Sequence, residues 1–208
     1  GRYHTRDGVW KAAELVEQLD LAPALLAAAG AVCVKRAGFE ADDVLAAAVA
    51  AERARGGTTL VATSDRDAFQ LAATDVTILQ PQRGVTELAR IGPAEVRERY
   101  GVEPTQVVDF IALRGDPSDK IPGAKGVGAK TAAVLLAGGE TLASLLAQGR
   151  FATEAEALRT YRQVAALDPT LPLPALPDRA LDRAAVAAEA RSLGLERLAA
   201  RLVDETWS

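Results

Sequence analysis

Three short groups of closely spaced acidic residues are the sequence feature that most constrains the fold of the chain. The groups are Glu40 to Asp43, Asp65 to Asp67, and Asp116 to Asp119. They contain seven carboxylates, which repel one another if they gather in one place without cations between them. A fold that brings the three groups together is therefore expected to bind metal ions.

Length and composition are typical of a globular protein. The chain has 208 residues, 49% of them hydrophobic and 25% charged, which suits one domain or one and a half with a sizeable core. The longest apolar run, Leu21 to Val34, is broken by Pro23 and Gly30 and is too short to span a bilayer. The single Cys33 excludes an internal disulfide framework. We expect a cytoplasmic, monomeric protein without a membrane partner.

The charge distribution is compatible with a nucleic-acid partner, although the net charge is −4. Bound cations would neutralise the seven clustered carboxylates, and the remainder of the chain carries a net charge of +3. The stretch from Lys120 to Lys130 contains three lysines and no acidic residue. A phosphate backbone responds to this local distribution more than to the total charge.

The hydrophobic pattern of the first third predicts a βαβ unit. Helix patterns cover Ala12 to Ala29 and Asp42 to Ala54, and short apolar strands are predicted at Ala31 to Lys35 and Thr59 to Thr63. Cys33 is expected to be a core residue of the first strand. A crossover of this length predicts parallel strands with a right-handed connection.

Two of the acidic groups follow these predicted strands. The Glu40 group comes after the first strand and the Asp65 group after the second. Because sites in open α/β sheets form beyond the carboxyl ends of the strands, we expect both groups at the same edge. Val76 to Leu79 predicts a third strand, and Gln80 to Ile91 predicts a hairpin that turns at Arg83-Gly84.

From Pro93 onward the pattern is helical. Helices are predicted at Pro93–Tyr100, Pro104–Leu113, Lys130–Ala137, Thr141–Leu146, Thr153–Ala166, Arg183–Leu193 and Leu195–Val203.

Each acidic group taken alone also has a simpler interpretation. Acids in the first turn of a helix are favoured by the helix dipole, each by about 0.3–1 kcal/mol, and an Asp can cap a helix or a turn. Three such groups, two of them at one sheet edge, favour a shared metal site. Hard cations such as Mg²⁺ take carboxylate oxygens, and two ions roughly 3.5–4 Å apart can clamp a phosphodiester.

The segment from Ile121 to Ala132 is rich in glycine and lysine. Its glycines allow close backbone approach, and Lys130-Thr131 opens a predicted helix whose N–H groups can receive phosphate. It is similar to a helix–hairpin–helix, which grips the duplex backbone without reading bases. A plain glycine turn between packed helices is the alternative. The spacing excludes a P-loop.

Four motifs in succession resemble the signatures of the bacterial 5′→3′ exonuclease family. They are Phe39-Glu40-Ala41-Asp42-Asp43, Thr63-Ser64-Asp65-Arg66-Asp67-Ala68-Phe69-Gln70-Leu71, Gly115-Asp116-Pro117-Ser118-Asp119-Lys120-Ile121-Pro122-Gly123 and Gly126-Val127-Gly128-Ala129-Lys130-Thr131-Ala132. The family belongs to the flap-endonuclease superfamily and includes the N-terminal domain of bacterial DNA polymerase I. The resemblance implies an N-terminally incomplete, PIN-like α/β domain with a parallel sheet over residues 1–115. A helical domain of the helix-three-turn-helix (helix-hairpin-helix) type follows over residues 116–208.

The resemblance also implies roles for individual residues. Glu40 and Asp42 would belong to one metal site, and Asp65, Asp67 and Asp119 to the other, with Asp43 and Asp116 close by. Two Mg²⁺ or Mn²⁺ ions are expected, and hydrolysis of DNA from a 5′ end or at a 5′ flap. The residues expected to contact DNA are Arg66, Lys120, Gly123, Lys125, Gly126, Gly128, Lys130 and Thr131. In many members the hairpin backbone binds K⁺ as well.

The chain departs from the family pattern in three respects. Family members begin with a strand carrying an Asp-Gly pair and have a second acidic strand end, and neither is found here. The basic helical arch is reduced to Arg2, Arg6 and Lys11, and the chain starts at Gly1 and contains no Met. We therefore expect a chain that lacks the N-terminal part of the family. Lys120 stands where Asn is usual.

Two other functions remain open from the sequence. One is a non-catalytic, structure-specific DNA-binding module, which the missing acidic strands favour. The other is a PIN-type ribonuclease, which is disfavoured because a duplex-binding hairpin has no obvious place in it.

Overall fold

A computed structural model describes residues 13–84 and 87–204. The chain divides into two compact units, one formed by Gly1–Lys35 with Pro174–Ser208 and the other by Arg36–Leu173. The predicted domain boundary between residues 115 and 116 falls inside the second unit and stays a prediction. Arg2, Arg6 and Lys11, the expected remnant of the arch, lie outside the described residues.

The described residues form helices and three strands, close to the predicted pattern. In chain order the elements are α1 (Ala13–Ala28), α2 (Ala41–Ala54), β1 (Thr59–Ala62), β2 (Val76–Arg83), β3 (Glu87–Ile91), α3 (Pro93–Tyr100), α4 (Val107–Arg114), α5 (Ala129–Leu135), α6 (Leu142–Ala147), α7 (Ala155–Ala165), α8 (Arg183–Ser192) and α9 (Glu196–Val203). Short 3₁₀ helices cover Asp67–Leu71, Pro104–Gln106 and Ala137–Gly139. Within the described ranges, no helix has the length and apolar character needed to cross a membrane.

The smaller unit is a helical cluster with a core of small side chains. Ala187 and Ala190 of α8 and Ala199 of α9 are fully buried against one another. Leu25 of α1 and Leu202 of α9 pack on this cluster. Alanine at the contact positions lets the helix backbones approach closely.

The larger unit contains a mixed sheet in the order β1-β2-β3. β1 pairs with β2 in parallel, and β2 pairs with β3 antiparallel. Alternate residues of β2, namely Val76, Ile78 and Gln80, are buried, so one face of the strand is directed to the core. The predicted hairpin from Gln80 to Ile91 is confirmed, with its antiparallel pairing.

The prediction of a strand from Ala31 to Lys35 is wrong. This segment has no regular structure, and Cys33, which was expected in the core, is exposed. The parallel pair of the sheet is instead β1 with β2, joined through the 3₁₀ helix Asp67–Leu71. A short apolar run forms a strand only where a neighbouring strand can bond its backbone, and the sequence pattern alone does not show that partner.

The ends of the helices near the sheet follow ordinary capping rules. α2 begins after Glu40, and the backbone N–H of Glu40 donates to the carboxylate of Asp43. α3 begins at Pro93, with the N–H of Gly92 bonded to Glu95, and ends at Gly101 in the left-handed region.

α4 forms the centre of the larger unit. Phe110, Ile111 and Leu113 are at most 2% exposed, and the ring of Phe110 stacks on Tyr100 with centroids 4.9 Å apart. Tyr100 in turn contacts Phe69 of the 3₁₀ helix, with centroids 5.6 Å apart. This aromatic group joins the helical half of the unit to the segment that follows β1.

One charged residue is buried on α4. Asp109 is 4% exposed, and its carboxylate accepts hydrogen bonds from Nε of Arg162 at 2.6 Å and from the N–H of Leu142 at 2.9 Å. The carboxylate therefore ties α7 and the start of α6 to the core helix. Burial of a charge is tolerated here because both oxygens have partners.

Replacement of Asp109 by Ala is expected to destabilise the fold. The N–H of Leu142 would lose its acceptor inside the protein, which costs about 1–3 kcal/mol in free energy of unfolding. Urea denaturation measures this. Arg97→Ala is the matched control, because it removes an ion pair with Glu103 that is half exposed at both ends. It should cost less than about 1 kcal/mol. Equal losses in the two variants would contradict the structural role of Asp109.

Candidate metal centre

Carboxylates from three separate segments meet in one cleft of about 330 Å³ in the larger unit. The segments are the start of α2, the turn after β1 and the turn after α4, and the end of α7 supplies an apolar wall. The lining residues are Glu40, Asp42, Asp65, Asp67, Ser118, Asp119, Lys120, Val164, Ala165 and Leu167.

The first group is at the amino end of α2. Asp43 uses one carboxylate oxygen to cap the helix through the N–H of Glu40, at 3.1 Å, and the other to accept the N–H of Asp168, at 2.9 Å. The capping interpretation of this group therefore describes Asp43. Glu40 and Asp42 line the cleft from the same turn.

The second group forms a tight turn directly after β1. The N–H of Asp65 donates to Oγ1 of Thr63, and Oδ1 of Asp65 accepts the N–H of Asp67, both at 3.0 Å. Such side-chain to backbone bonds fix the turn locally. Both Asp65 and Asp67 line the cleft from this turn, while Arg66 between them is exposed.

The third group is in a closed turn between α4 and α5. Asp116 and Ile121 exchange backbone hydrogen bonds of 2.8 Å in both directions, so the residues between them form a loop and not a helix. Oδ1 of Asp116 accepts the N–H of Ser118 at 2.8 Å, and Oδ2 accepts from Arg114 at 3.1 Å.

Two glycines allow this turn to close. Gly115 and Gly123 both have positive φ, +82° and +76°, and their backbones lie against each other. A Cβ on Gly115 would meet the carbonyl oxygen of Ile121 at 2.7 Å, and one on Gly123 would meet the N of Gly115 at 2.5 Å. Only glycine fits at these two positions. Gly123 was expected to contact DNA. Its packing against Gly115 is a sufficient reason for glycine at this position.

The second and third groups approach each other closely. Asp67, Asp116 and Asp119 each have a carboxylate oxygen within 4.8 Å of the other two, a separation that one cation could bridge. This trio contains two of the three residues expected at one metal site, Asp67 and Asp119, together with Asp116, which was expected close by.

Crowding changes the proton affinity of these groups. Burial, followed by the charges of Asp65, Asp119 and Asp116, raises the pKa of Asp67 to about 7. Burial and the neighbouring Asp65 and Glu40 also raise the pKa of Asp42. The protein therefore holds negative charge here that a cation would stabilise.

Asp116 differs from its neighbours. Burial alone would raise the pKa of its carboxyl group, but the hydroxyl and N–H of Ser118 and the guanidinium of Arg114 outweigh it, and the pKa is lowered. Asp116 therefore stays ionised beside Asp67 and Asp119.

The donor set of the cleft fits hard divalent cations. Carboxylate oxygens dominate the lining, with the hydroxyl of Ser118 beside them. Such oxygens suit Mg²⁺ and Mn²⁺. Lys120 is also among the residues that line the cleft, and its backbone is in the left-handed region with φ 59°, a conformation that Asn adopts more readily than Lys.

The expected DNA-contacting residues of the hairpin form an exposed strip. Lys125, Gly126, Gly128, Lys130 and Thr131 are all exposed at the loop before α5 and in its first turn. A Cβ added at Gly128 would meet nothing within 4 Å, so its outer side is open. The strip does not line the carboxylate cleft, whereas Lys120 does.

Sequence reasoning missed the wall of the cleft. Val164, Ala165 and Leu167 come from the end of α7, about a hundred residues after the second acidic group, and no local pattern connects them with it. Gln70 was part of a motif, but no function was assigned to it. Its amide bonds both the acidic turn and the α7 wall.

The sequence matches two models of one protein family in succession. Residues 7–101 match the 5′-3′ exonuclease N-terminal resolvase-like domain, and residues 102–185 match the 5′-3′ exonuclease C-terminal SAM fold. The chain belongs to the 5′-3′ exonuclease family. This confirms the predicted family and fold class, a PIN-like α/β domain with a helical domain after it.

Curated relatives include a polymerase and a separate exonuclease, both from Mycobacterium tuberculosis. The chain is 47% identical to DNA polymerase I over 133 residues, which is 64% of this chain and 15% of that protein. It is 42% identical to a protein named 5′-3′ exonuclease over 156 residues, which is 71% of this chain and 48% of that protein. The chain thus spans less than half the length of each relative.

Solved structures show a similar fold at low sequence identity. The 5′-exonuclease of bacteriophage T5 with divalent metal ions (zinc) bound has a TM-score of 0.54 and 18% identity, over 80% of this chain and 59% of that one. Human GEN1 in complex with Holliday junction DNA has a TM-score of 0.57 and 17% identity, over 91% of this chain and 52% of that one.

Asp67→Asn is expected to stabilise the metal-free protein at neutral and higher pH. Because folding raises the pKa of Asp67 from 3.8 to about 7, the folded protein keeps a proton that the unfolded chain releases. The resulting stabilisation of the folded state is complete below the pKa that Asp67 has in the unfolded chain. It is lost as the pH rises to about 7. Between about pH 5 and about pH 8, the urea midpoint should therefore decrease more for the wild type than for Asp67→Asn.

Added Mn²⁺ completes this test. It should raise the midpoint of the wild type at the higher pH and have a smaller effect on Asp67→Asn, because a ligand that binds only the folded state stabilises it. Glu98→Gln, at an exposed position of α3, is the control for loss of one negative charge. An equal response to pH and Mn²⁺ in all three proteins would exclude Asp67 from the metal centre.

Proposed function

We propose that this chain is a divalent-metal-dependent DNA nuclease that hydrolyses phosphodiesters from a 5′ end or at a 5′ flap. Membership of the 5′-3′ exonuclease family supports this proposal. The single observation that carries it is the meeting of carboxylates from three segments in one cleft, with the pKa of Asp67 raised to about 7.

Two divalent ions are proposed for the cleft. Glu40 and Asp42 would hold one ion, and Asp65, Asp67 and Asp119 the other, with Asp116 beside the second. When bound, such ions lower the pKa of a water molecule and offset charge on the scissile phosphate. Mg²⁺ and Mn²⁺ both suit this set of oxygens.

The protein itself contributes rigid placement and a shaped cleft. In the turns at Asp65 and Asp116 the carboxylate accepts a backbone N–H of its own turn, which supports a site that is ordered before substrate arrives. The exposed guanidinium of Arg66 and the ammonium of Lys120 are proposed to bind phosphates of the substrate. The end of α7 bounds the cleft on one side with apolar side chains.

The duplex is proposed to lie along the exposed strip from Lys125 to Thr131. Lys125 and Lys130 provide positive charge, and Gly126 and Gly128 leave the backbone open to close approach. Contacts of this kind attract phosphate without reading sequence. The K⁺ ion expected from the family resemblance stays a prediction, which comparison of duplex affinity in K⁺ and Na⁺ would test.

Asp65→Asn and Asp119→Asn are expected to abolish metal-dependent cleavage. With a 5′-labelled flap duplex and Mg²⁺ or Mn²⁺, the wild type should release short labelled products, and each variant should be slower by at least about 100-fold because a metal ligand is lost. Glu98→Gln should cleave at the wild-type rate. A closed circular duplex, which has no 5′ end, should stay intact.

The same assay separates the alternative functions. Duplex binding without release of product from the wild type would show a non-catalytic DNA-binding module. Cleavage of a matched RNA with no cleavage of DNA would show a ribonuclease. Full activity in Asp65→Asn would contradict the proposed two-metal centre.

Lys125→Ala is expected to weaken duplex binding uniformly across sequences. Loss of one phosphate contact should reduce the slope of log affinity against log salt by about 1. Fluorescence anisotropy with two duplexes of unrelated sequence measures both effects. Lys125→Arg retains the charge and should bind with nearly wild-type affinity. A loss confined to one of the two sequences would contradict backbone binding.

A further inference from the structure

We propose that Gln70 is a positioning residue that sets the geometry of the metal cleft by bonding its acidic turn to its α7 wall. This inference rests on the proposed function of the cleft. It assigns the side chain a task in the arrangement of the site, without contact to substrate or metal.

The amide of Gln70 makes three hydrogen bonds to backbone groups, one within its own 3₁₀ helix and two to the end of α7. Its Nε2 donates to the carbonyl oxygen of Asp67 at 2.8 Å and to that of Ala165 at 3.1 Å. Its Oε1 accepts the N–H of Leu167 at 3.1 Å. Both donor hydrogens and the acceptor are therefore engaged.

These partners are parts of the cleft. Asp67 provides a carboxylate of the close trio, and Ala165 and Leu167 line the opposite wall. The next residue along the wall is held in a similar way, because the N–H of Asp168 donates to Asp43 at 2.9 Å. Arg162 near the end of α7 is also bonded to Asp109 of α4, so Gln70 is one of three side chains that hold the wall, and it is the one bonded to the backbone of Asp67.

The other end of α7 is fixed independently. Glu154, which precedes α7, accepts the N–H of Lys125 at 3.0 Å and so holds the loop of the hairpin strip. A change at Gln70 should therefore leave duplex binding intact and affect the cleft. This predicts a loss in kcat with KM for DNA little changed.

The chain contains a matched control for this substitution. Gln106 also donates to two carbonyl oxygens, those of Leu136 at 2.7 Å and Glu140 at 2.9 Å, and accepts one N–H, that of Glu103 at 3.0 Å. It makes the same kinds of bond as Gln70, but these three bonds go to Leu136, Glu140 and Glu103, none of which lines the cleft. Gln106→Met and Gln70→Met therefore remove equivalent interactions while filling similar volume.

The experiment compares the two variants at a temperature where both are fully folded by circular dichroism. Gln70→Met is expected to lower kcat and Mn²⁺ affinity by about 10–100-fold, the usual effect of disturbing residues that orient metal ligands, with KM for flap DNA within about twofold. Gln106→Met should keep kcat, KM and Mn²⁺ affinity at wild-type values. Mn²⁺ affinity is measured without DNA, by calorimetry.

Amide hydrogen exchange at Leu167 gives a readout that does not depend on activity. Its N–H should exchange faster in Gln70→Met than in the wild type. In Gln106→Met it should exchange at the wild-type rate. If the wild type neither cleaves DNA nor binds Mn²⁺, the proposed function fails, and unchanged exchange at Leu167 would then overturn the inference as well. With an active wild type, normal kcat and Mn²⁺ affinity in Gln70→Met, or equal losses in both variants, would overturn the positioning role.

Discussion

Mutual repulsion of carboxylates is the constraint on which the arrangement of the larger unit depends. The chain overcomes it with turns that are fixed by their own hydrogen bonds. Asp65 accepts the N–H of Asp67, Asp43 accepts that of Glu40, and Asp116 accepts that of Ser118. These bonds hold the backbone in place, so the repulsion appears as raised proton affinity at Asp67 and Asp42 and not as separation of the segments. A cation bound at the proposed centre would relieve this repulsion.

The buried helix α4 connects the cleft to the rest of the unit. Its aromatic contact with Tyr100 supports the segment after β1, and its end leads directly into the turn at Asp116. Asp109 in the same helix bonds Arg162 of α7, whose last turn forms the wall of the cleft. Segments that follow the sheet strand β1 and the helices α4 and α7 of this unit therefore form one cleft.

Sequence similarity and cleft geometry support the proposed nuclease function by separate routes. The family models match residues 7–185 without reference to any coordinate, whereas the cleft is defined by burial, distances and charge. Lys120 is a cationic residue in the lining of this carboxylate cleft, and its backbone conformation is unusual for lysine. Its charge suits a phosphate of the substrate placed beside the proposed ions.

The sequence by itself determined the three acidic groups, the glycine-rich hairpin and most helix limits, because capping, periodicity and turn chemistry act over a few residues. It predicted a strand at Ala31 to Lys35 and a buried Cys33, and both predictions were wrong, since strand formation requires a partner that local pattern does not reveal. Only the tertiary structure brought the end of α7 to the acidic turns and gave Gln70 its partners, about a hundred residues away in sequence. Contacts over that separation arise from packing of the whole unit, which no spacing along the chain encodes.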